Sequence, residues 1–151
     1  MTVLRFRGAV GFRSSGPNPT GPPGETALHA LNPQRVEGIR GATGWPKLEP
    51  GSLNLSVPND VVDHLIALAP SWTEDGGTVV YPPPFEHIPA LRQAYLYYLG
   101  EAQVSGKRQQ VLVRSARNPL PGRVELFAPI SLCKYFGLAE GDRVAVEVLA
   151  I

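Results

Sequence analysis

From Gly51 to Val57 the chain alternates between apolar and polar residues. Leu53, Leu55 and Val57 fall on one side, and Ser52, Asn54 and Ser56 on the other. A period of two predicts a strand with one buried face. Val3 to Val10 alternates more loosely and predicts a first strand, and Thr26 to Leu31 a short one. Leu96 to Val104 and Gln109 to Ser115 predict a hairpin joined through Ser105-Gly106-Lys107. Arg123 to Ala128 and Arg143 to Leu149 predict two more strands, and Thr78 to Tyr81 a further short one within a loop from Ser71 to Pro84.

Two stretches change the period. After Pro58-Asn59-Asp60, with Asn59 as the expected cap, the residues Val61, Val62, Leu65, Ile66 and Leu68 recur at helical spacing until Pro70. Pro129 to Phe136 suits one short helix ended by Gly137. Gly38, Gly41 and Gly44 recur at three-residue spacing before Trp45 and Pro46, and no helix is counted there. Six to eight short strands with two helices and no βαβ rhythm argue for a mainly β fold, a small β-barrel, over a doubly wound sheet.

Composition sharpens this. The chain has 151 residues with 16 glycines and 16 prolines, nearly twice the usual combined share of roughly 12%. Long helical bundles are excluded. An apolar fraction of 43% against 18% charged residues leaves enough core for one folded domain over residues 1–151. The densest Gly and Pro run, residues 11–25, is expected to be a loop. Net charge is +1, which exerts little pull on nucleic acid or anionic membrane. The lone Cys133 excludes an intrachain disulfide and a thiolate zinc cluster. The N-terminus lacks an apolar run and no stretch approaches membrane-spanning length, so a cytoplasmic soluble protein is the default expectation.

Most catalytic signatures are absent. There is no phosphate-loop pattern and no G-x-G-x-x-G, and His29, His64 and His87 lack metal-ligand spacing. Two places carry candidate chemistry. Ser52 and Asn54 lie two residues apart on one strand face, about 6.6 Å along the chain. Their neutral oxygens suit a hard cation such as Mg²⁺ whose charge is balanced by substrate phosphates. The alternative is an ordinary solvent-facing strand edge. Glu125 lies within the apolar strand Val124-Glu125-Leu126-Phe127-Ala128. Burial there would raise its pKa and let it take a proton from a hydroxyl nucleophile. The alternative is an outward carboxylate paired with an arginine.

Pro50-Gly51-Ser52-Leu53-Asn54-Leu55 resembles the P-G-T-L-N-V/L signature of the archaeal CTP-dependent riboflavin kinases. Glu125-Leu126-Phe127-Ala128-Pro129, then Leu132 and Gly141-Asp142-Arg143-Val144, resembles that family's second signature. Gly44-Trp45 is similar to its G-F, and the hairpin falls where the family has one. The matching pieces span most of residues 44 to 149 in the family's order.

The resemblance implies a six-stranded cradle-loop barrel with one or two short helices. It implies transfer of a phosphoryl group from a nucleoside triphosphate, CTP in the family, to the 5′-hydroxyl of riboflavin to give FMN. It places Ser52 and Asn54 at Mg²⁺, Glu125 at the flavin and its attacking hydroxyl, and Arg117 at the flavin. It places Gly11 and the segment Ile130, Ser131, Leu132 and Cys133 at the nucleotide. The chain departs from the family in three places. Its first loop is longer and filled with proline, which has no N–H for a phosphate; Leu132-Cys133 replaces L-R; and Arg117 falls near the family's flavin-contacting Thr. A non-catalytic nucleotide- or flavin-binding module on the same barrel is the alternative. A DNA-binding relative is a third reading, disfavoured by the low net charge.

Overall fold

A computed structural model describes residues 1–11, 25–27, 33–49, 51–75, 78–80, 95–116 and 122–150. Its elements, in chain order, are β1 (Thr2–Val10), β2 (Glu25–Ala27), α1 (Pro33–Thr43), β3 (Gly51–Ser56), α2 (Asn59–Ala67), β4 (Trp72–Asp75), β5 (Thr78–Val80), β6 (Tyr95–Val104), β7 (Lys107–Ala116), β8 (Arg123–Phe127), α3 (Leu132–Phe136) and β9 (Arg143–Leu149). The chain is mainly β and its strand pairs are antiparallel.

The pairings close on themselves. β1 pairs with β3, β3 with β8, β8 with β7, β7 with β6, β6 with β9, and β9 with β1 again. A ring of hydrogen bonds results, with β4 and β5 extending from β6 and β2 from β3. Alternation along these strands sends one set of side chains into the ring. Phe6, Leu53, Leu55, Leu96, Tyr98, Val111, Val113, Val124, Leu126, Val144, Val146 and Val148 form this inner core. Val61, Val62 and Leu65 of α2 and Leu132 and Cys133 of α3 join it.

The opposite face of β6, β7 and β8 is also buried in part. Tyr97, Leu112 and Phe127 point outward and pack against Ile39 of α1, Trp45, Leu48 and Trp72. This second apolar layer decides the character of the site, because it leaves polar residues on the same face largely buried.

Local chemistry accounts for most element boundaries. The β6–β7 turn is the two residues Ser105 (φ 50°) and Gly106 (φ 82°), the left-handed pair that suits the twist of a tight hairpin. Gly137 (φ 67°) ends α3, and Ser131 caps it by accepting a hydrogen bond from the Lys134 N–H at 3.3 Å. Three expectations are corrected. Asn59 is the first residue of α2 and not its cap; Pro58 occupies the cap position and no side chain caps there. Trp72–Asp75, expected as loop, is a strand on β6. Pro33–Thr43 is a helix in spite of Gly38 and Gly41. It begins at a proline, whose missing N–H costs nothing there, and Gly44 (φ 75°) follows its end. The strand expected to reach Leu31 is described only to Ala27, and the loop residues 12–24 and the turn residues 118–121 lie outside the described residues.

Candidate functional site

Three adjacent strands present the candidate residues side by side. Asn54 on β3 lies directly opposite Glu125 on β8, and Glu125 lies opposite Arg114 on β7. Period two then puts Ser52 on the face that carries Asn54, Glu125 and Arg114. Ser52 Oγ donates to Glu125 Oε2 at 2.7 Å, and Arg114 Nη2 donates to Glu125 Oε1 at 2.7 Å. The two motifs that the sequence separates by about seventy positions therefore meet on one carboxylate. Ser52 and Asn54 are buried, at 0% and 2% exposure, and are no solvent edge.

Gly11 also reaches this place. Its N–H donates to the Asn54 carbonyl oxygen at 2.9 Å, while Glu25 pairs opposite Leu53. The chain thus leaves and rejoins the same edge of β3 beside Asn54. A Cβ at Gly11 would sit 3.5 Å from the Asn54 carbonyl oxygen, an ordinary contact, so the approach does not itself demand glycine.

The segment Ile130 to Cys133 behaves differently. Leu132 and Cys133 turn their side chains into the inner core, and Ser131 is used as the α3 cap. That segment can offer a ligand its backbone and Ile130, not the Leu132 or Cys133 side chains. Arg117 lies outside the described residues, as do His29 and His87; His64 is exposed on α2.

The electrostatics correct one expectation. Burial by itself pushes the Glu125 carboxyl up, as the sequence reading anticipates. The Arg114 charge, the hydrogen bonds from Arg114 and Ser52 and the charge of Arg123 outweigh it, so Glu125 is held below its ordinary value. It is an ionised acceptor at neutral pH and a weak base. Burial works against the Arg114 cation in the same way, and Glu125 with the nearby tyrosines reverses that too, leaving its pKa raised.

Further residues complete the face and went unnoticed in the sequence. The Arg114 guanidinium lies 4.1 Å from the Tyr95 ring centre and 4.8 Å from that of Phe127. Arg35 of α1 flanks Tyr95 at 5.1 Å and makes a two-armed pair with Glu74, at 2.7 and 2.9 Å. Glu74 also accepts from Tyr97 Oη at 2.6 Å. The available signal was a charge inside an apolar strand: Arg114 after Val111-Leu112-Val113, and Glu74 after Trp72-Thr73.

Neither a protein-family model nor a curated protein matches this chain.

Among the described residues, no group of three or more His, Cys, Asp or Glu side chains is arranged to hold a metal. The Ser52–Glu125 bond bears on Mg²⁺ in another way. A hydroxyl that donates its proton to a carboxylate keeps its lone pairs for a cation. The Glu125 charge is already matched by Arg114, so the pocket side chains are close to neutral. A Mg²⁺ ion held by the neutral oxygens of Ser52 and Asn54 would have to arrive with phosphate charge, because these residues supply none. Elsewhere, a groove of about 350 Å³ lies over Arg5, Arg7, Glu101, Gln103 and Glu147. Its acids are paired with arginines, Arg5 with Glu147 at 3.3 Å and Arg108 with Glu101 at 2.9 Å, and it shares no residue with the Glu125 site. No helix among the described residues is long and apolar enough to cross a membrane.

Proposed function

We infer that this chain is a phosphotransferase of the riboflavin kinase type, built on a cradle-loop barrel, that moves a phosphoryl group from a nucleoside triphosphate to the 5′-hydroxyl of riboflavin. The observation that carries the reading is the meeting of Ser52, Asn54 and Glu125 across β3 and β8. The closed ring of strands and the anchoring of Gly11 beside Asn54 support this reading.

Catalysis on this reading is positioning with charge compensation. Ser52 and Asn54 would hold Mg²⁺, which when bound neutralises the charge of the nucleotide phosphates. Glu125 accepts a hydrogen bond from the riboflavin hydroxyl; an ionised carboxylate has about four acceptor positions, of which Arg114 and Ser52 each take one. The hydroxyl oxygen bonds to the terminal phosphorus, and the bond to the bridging oxygen breaks to release a nucleoside diphosphate. A weak base suits this, because the proton leaves late in a loose transition state. It passes to Glu125 and then to solvent.

The second reading, a binding module without catalysis, draws on the Glu125–Arg114 pair, which commits the carboxylate to a structural partner. One assay separates the two. Purified protein is incubated with Mg²⁺, riboflavin and each of CTP, ATP, GTP and UTP, and FMN is followed by chromatography. The kinase reading expects FMN with at least one donor and a loss of roughly a hundredfold or more in Asn54→Ala. No FMN with any donor, beside saturable binding of nucleotide or flavin, selects the module.

A further inference from the structure

Arg114 is more constrained than its pairing with Glu125 requires. Its guanidinium is held between the Tyr95 and Phe127 rings, and its exposure is 9%. Glu125 takes only Nη2. The second terminal nitrogen, Nη1, is buried and makes no hydrogen bond to any described residue. A guanidinium cannot lose its charge at any ordinary pH. A buried donor on it that lacks an acceptor is disfavoured unless something at that position accepts. Arg35, by contrast, meets Glu74 with two nitrogens, Nε and Nη2. The one-armed contact with Glu125, which Ser52 also touches, leaves Nη1 without an acceptor among the described residues.

We propose that Arg114 is the oxyanion-binding residue of this site, with Nη1 taking an oxygen of a phosphate group. The choice of phosphate among oxyanions rests on the phosphotransferase reading; the anion site itself does not. Solvent reaches the cluster chiefly through Glu125, whose side chain is 21% exposed. The Tyr95 and Phe127 rings hold the guanidinium beside Glu125 on that side. Arg114 and Ser52 meet on the two oxygens of one carboxylate, and Asn54 lies opposite that residue on the neighbouring strand.

The test uses the full chain and follows arginine side-chain NMR signals during titration with inorganic phosphate, with acetate as a second arm and ionic strength held constant. The Arg114 guanidinium is assigned by its contacts to the Tyr95 and Phe127 rings, so the wild-type titration stands without any variant. The expected result is a saturable shift of the Arg114 signal with phosphate, larger than any shift of Arg5 or Arg7. Arg114→Lys, checked for folding by its backbone amide spectrum, should bind phosphate at least tenfold more weakly. An Arg114 signal that moves no more than those of Arg5 and Arg7, or unchanged affinity in folded Arg114→Lys, overturns the proposal. Saturation by acetate at equal affinity overturns the choice of phosphate. A chain that makes no FMN but shows the Arg114 shift keeps the anion site and loses the kinase reading. FMN formation with a static Arg114 signal does the reverse.

Discussion

Glu125 is the residue on which the most depends, and its charge state is open to a direct test. Its folded pKa is depressed below the ordinary value of 4.5. A depressed carboxylate contributes stability that is complete above its unfolded pKa and is lost as pH falls through the folded one. Glu125→Gln leaves the buried Arg114 without its counter-charge, which costs about 3 kcal/mol or somewhat more. The gap in thermal midpoint between wild type and Glu125→Gln should be constant from about pH 7 to pH 5 and narrow as the pH drops below about 4. A gap unchanged down to pH 3 would show that Glu125 gains nothing from its ionised partners. The type and position of Ser52, Asn54 and Glu125 were legible because each polar residue interrupts an apolar alternation. The direction of the Glu125 shift was not, because Arg114 lies eleven positions away and meets it only through strand pairing.

At the scale of elements, α1 is the instructive case. Its sequence, with Gly38 and Gly41 and one fully buried apolar residue, Ile39, has little helical pattern of its own. Its stability comes from docking: Ile39 enters the outer apolar layer and Arg35 grips Glu74 with both arms. Glu74 is 1% exposed and Arg35 13%, so this is a buried pair and not a surface one. Glu74→Gln should cost about 3–5 kcal/mol in urea unfolding. It should also shift tryptophan emission to the red, since Trp45 and Trp72 line the layer that α1 covers. A loss under about 1 kcal/mol, the range of an exposed pair, would mean that α1 is held by apolar contact alone. The hairpin and β9 show the opposite balance. Their alternation and turn residues are local signals, and the observed β9 has the predicted bounds, Arg143–Leu149.

For the whole molecule, the decisive event is closure of the ring, and the β6–β9 seam depends on a glycine. Gly100 lies opposite Val148, and a Cβ on it would sit 2.7 Å from the Glu147 carbonyl oxygen, a backbone atom that cannot turn aside. Gly100→Ala should therefore destabilise the fold by about 1–3 kcal/mol in denaturant unfolding. It should also speed hydrogen exchange at β6 and β9 amides ahead of those of β3 and β8. Exchange that quickens uniformly, or stability equal to wild type, would mean that the seam tolerates separation. The sequence by itself determined the mainly β class, most strand positions, the apolar faces of β3 and α2 and the two polar motifs, because alternation and turn chemistry act over a few neighbouring residues. Only the tertiary structure decided that the strands close into a ring, that Ile39 of α1 with Trp45, Leu48 and Trp72 covers part of the outer face of β6 to β8, and that Arg114 joins Ser52 and Glu125. Each of these depends on contacts between positions far apart in the chain. No local pattern encodes such contacts, and the free energy that selects them is gained only when the distant partners meet.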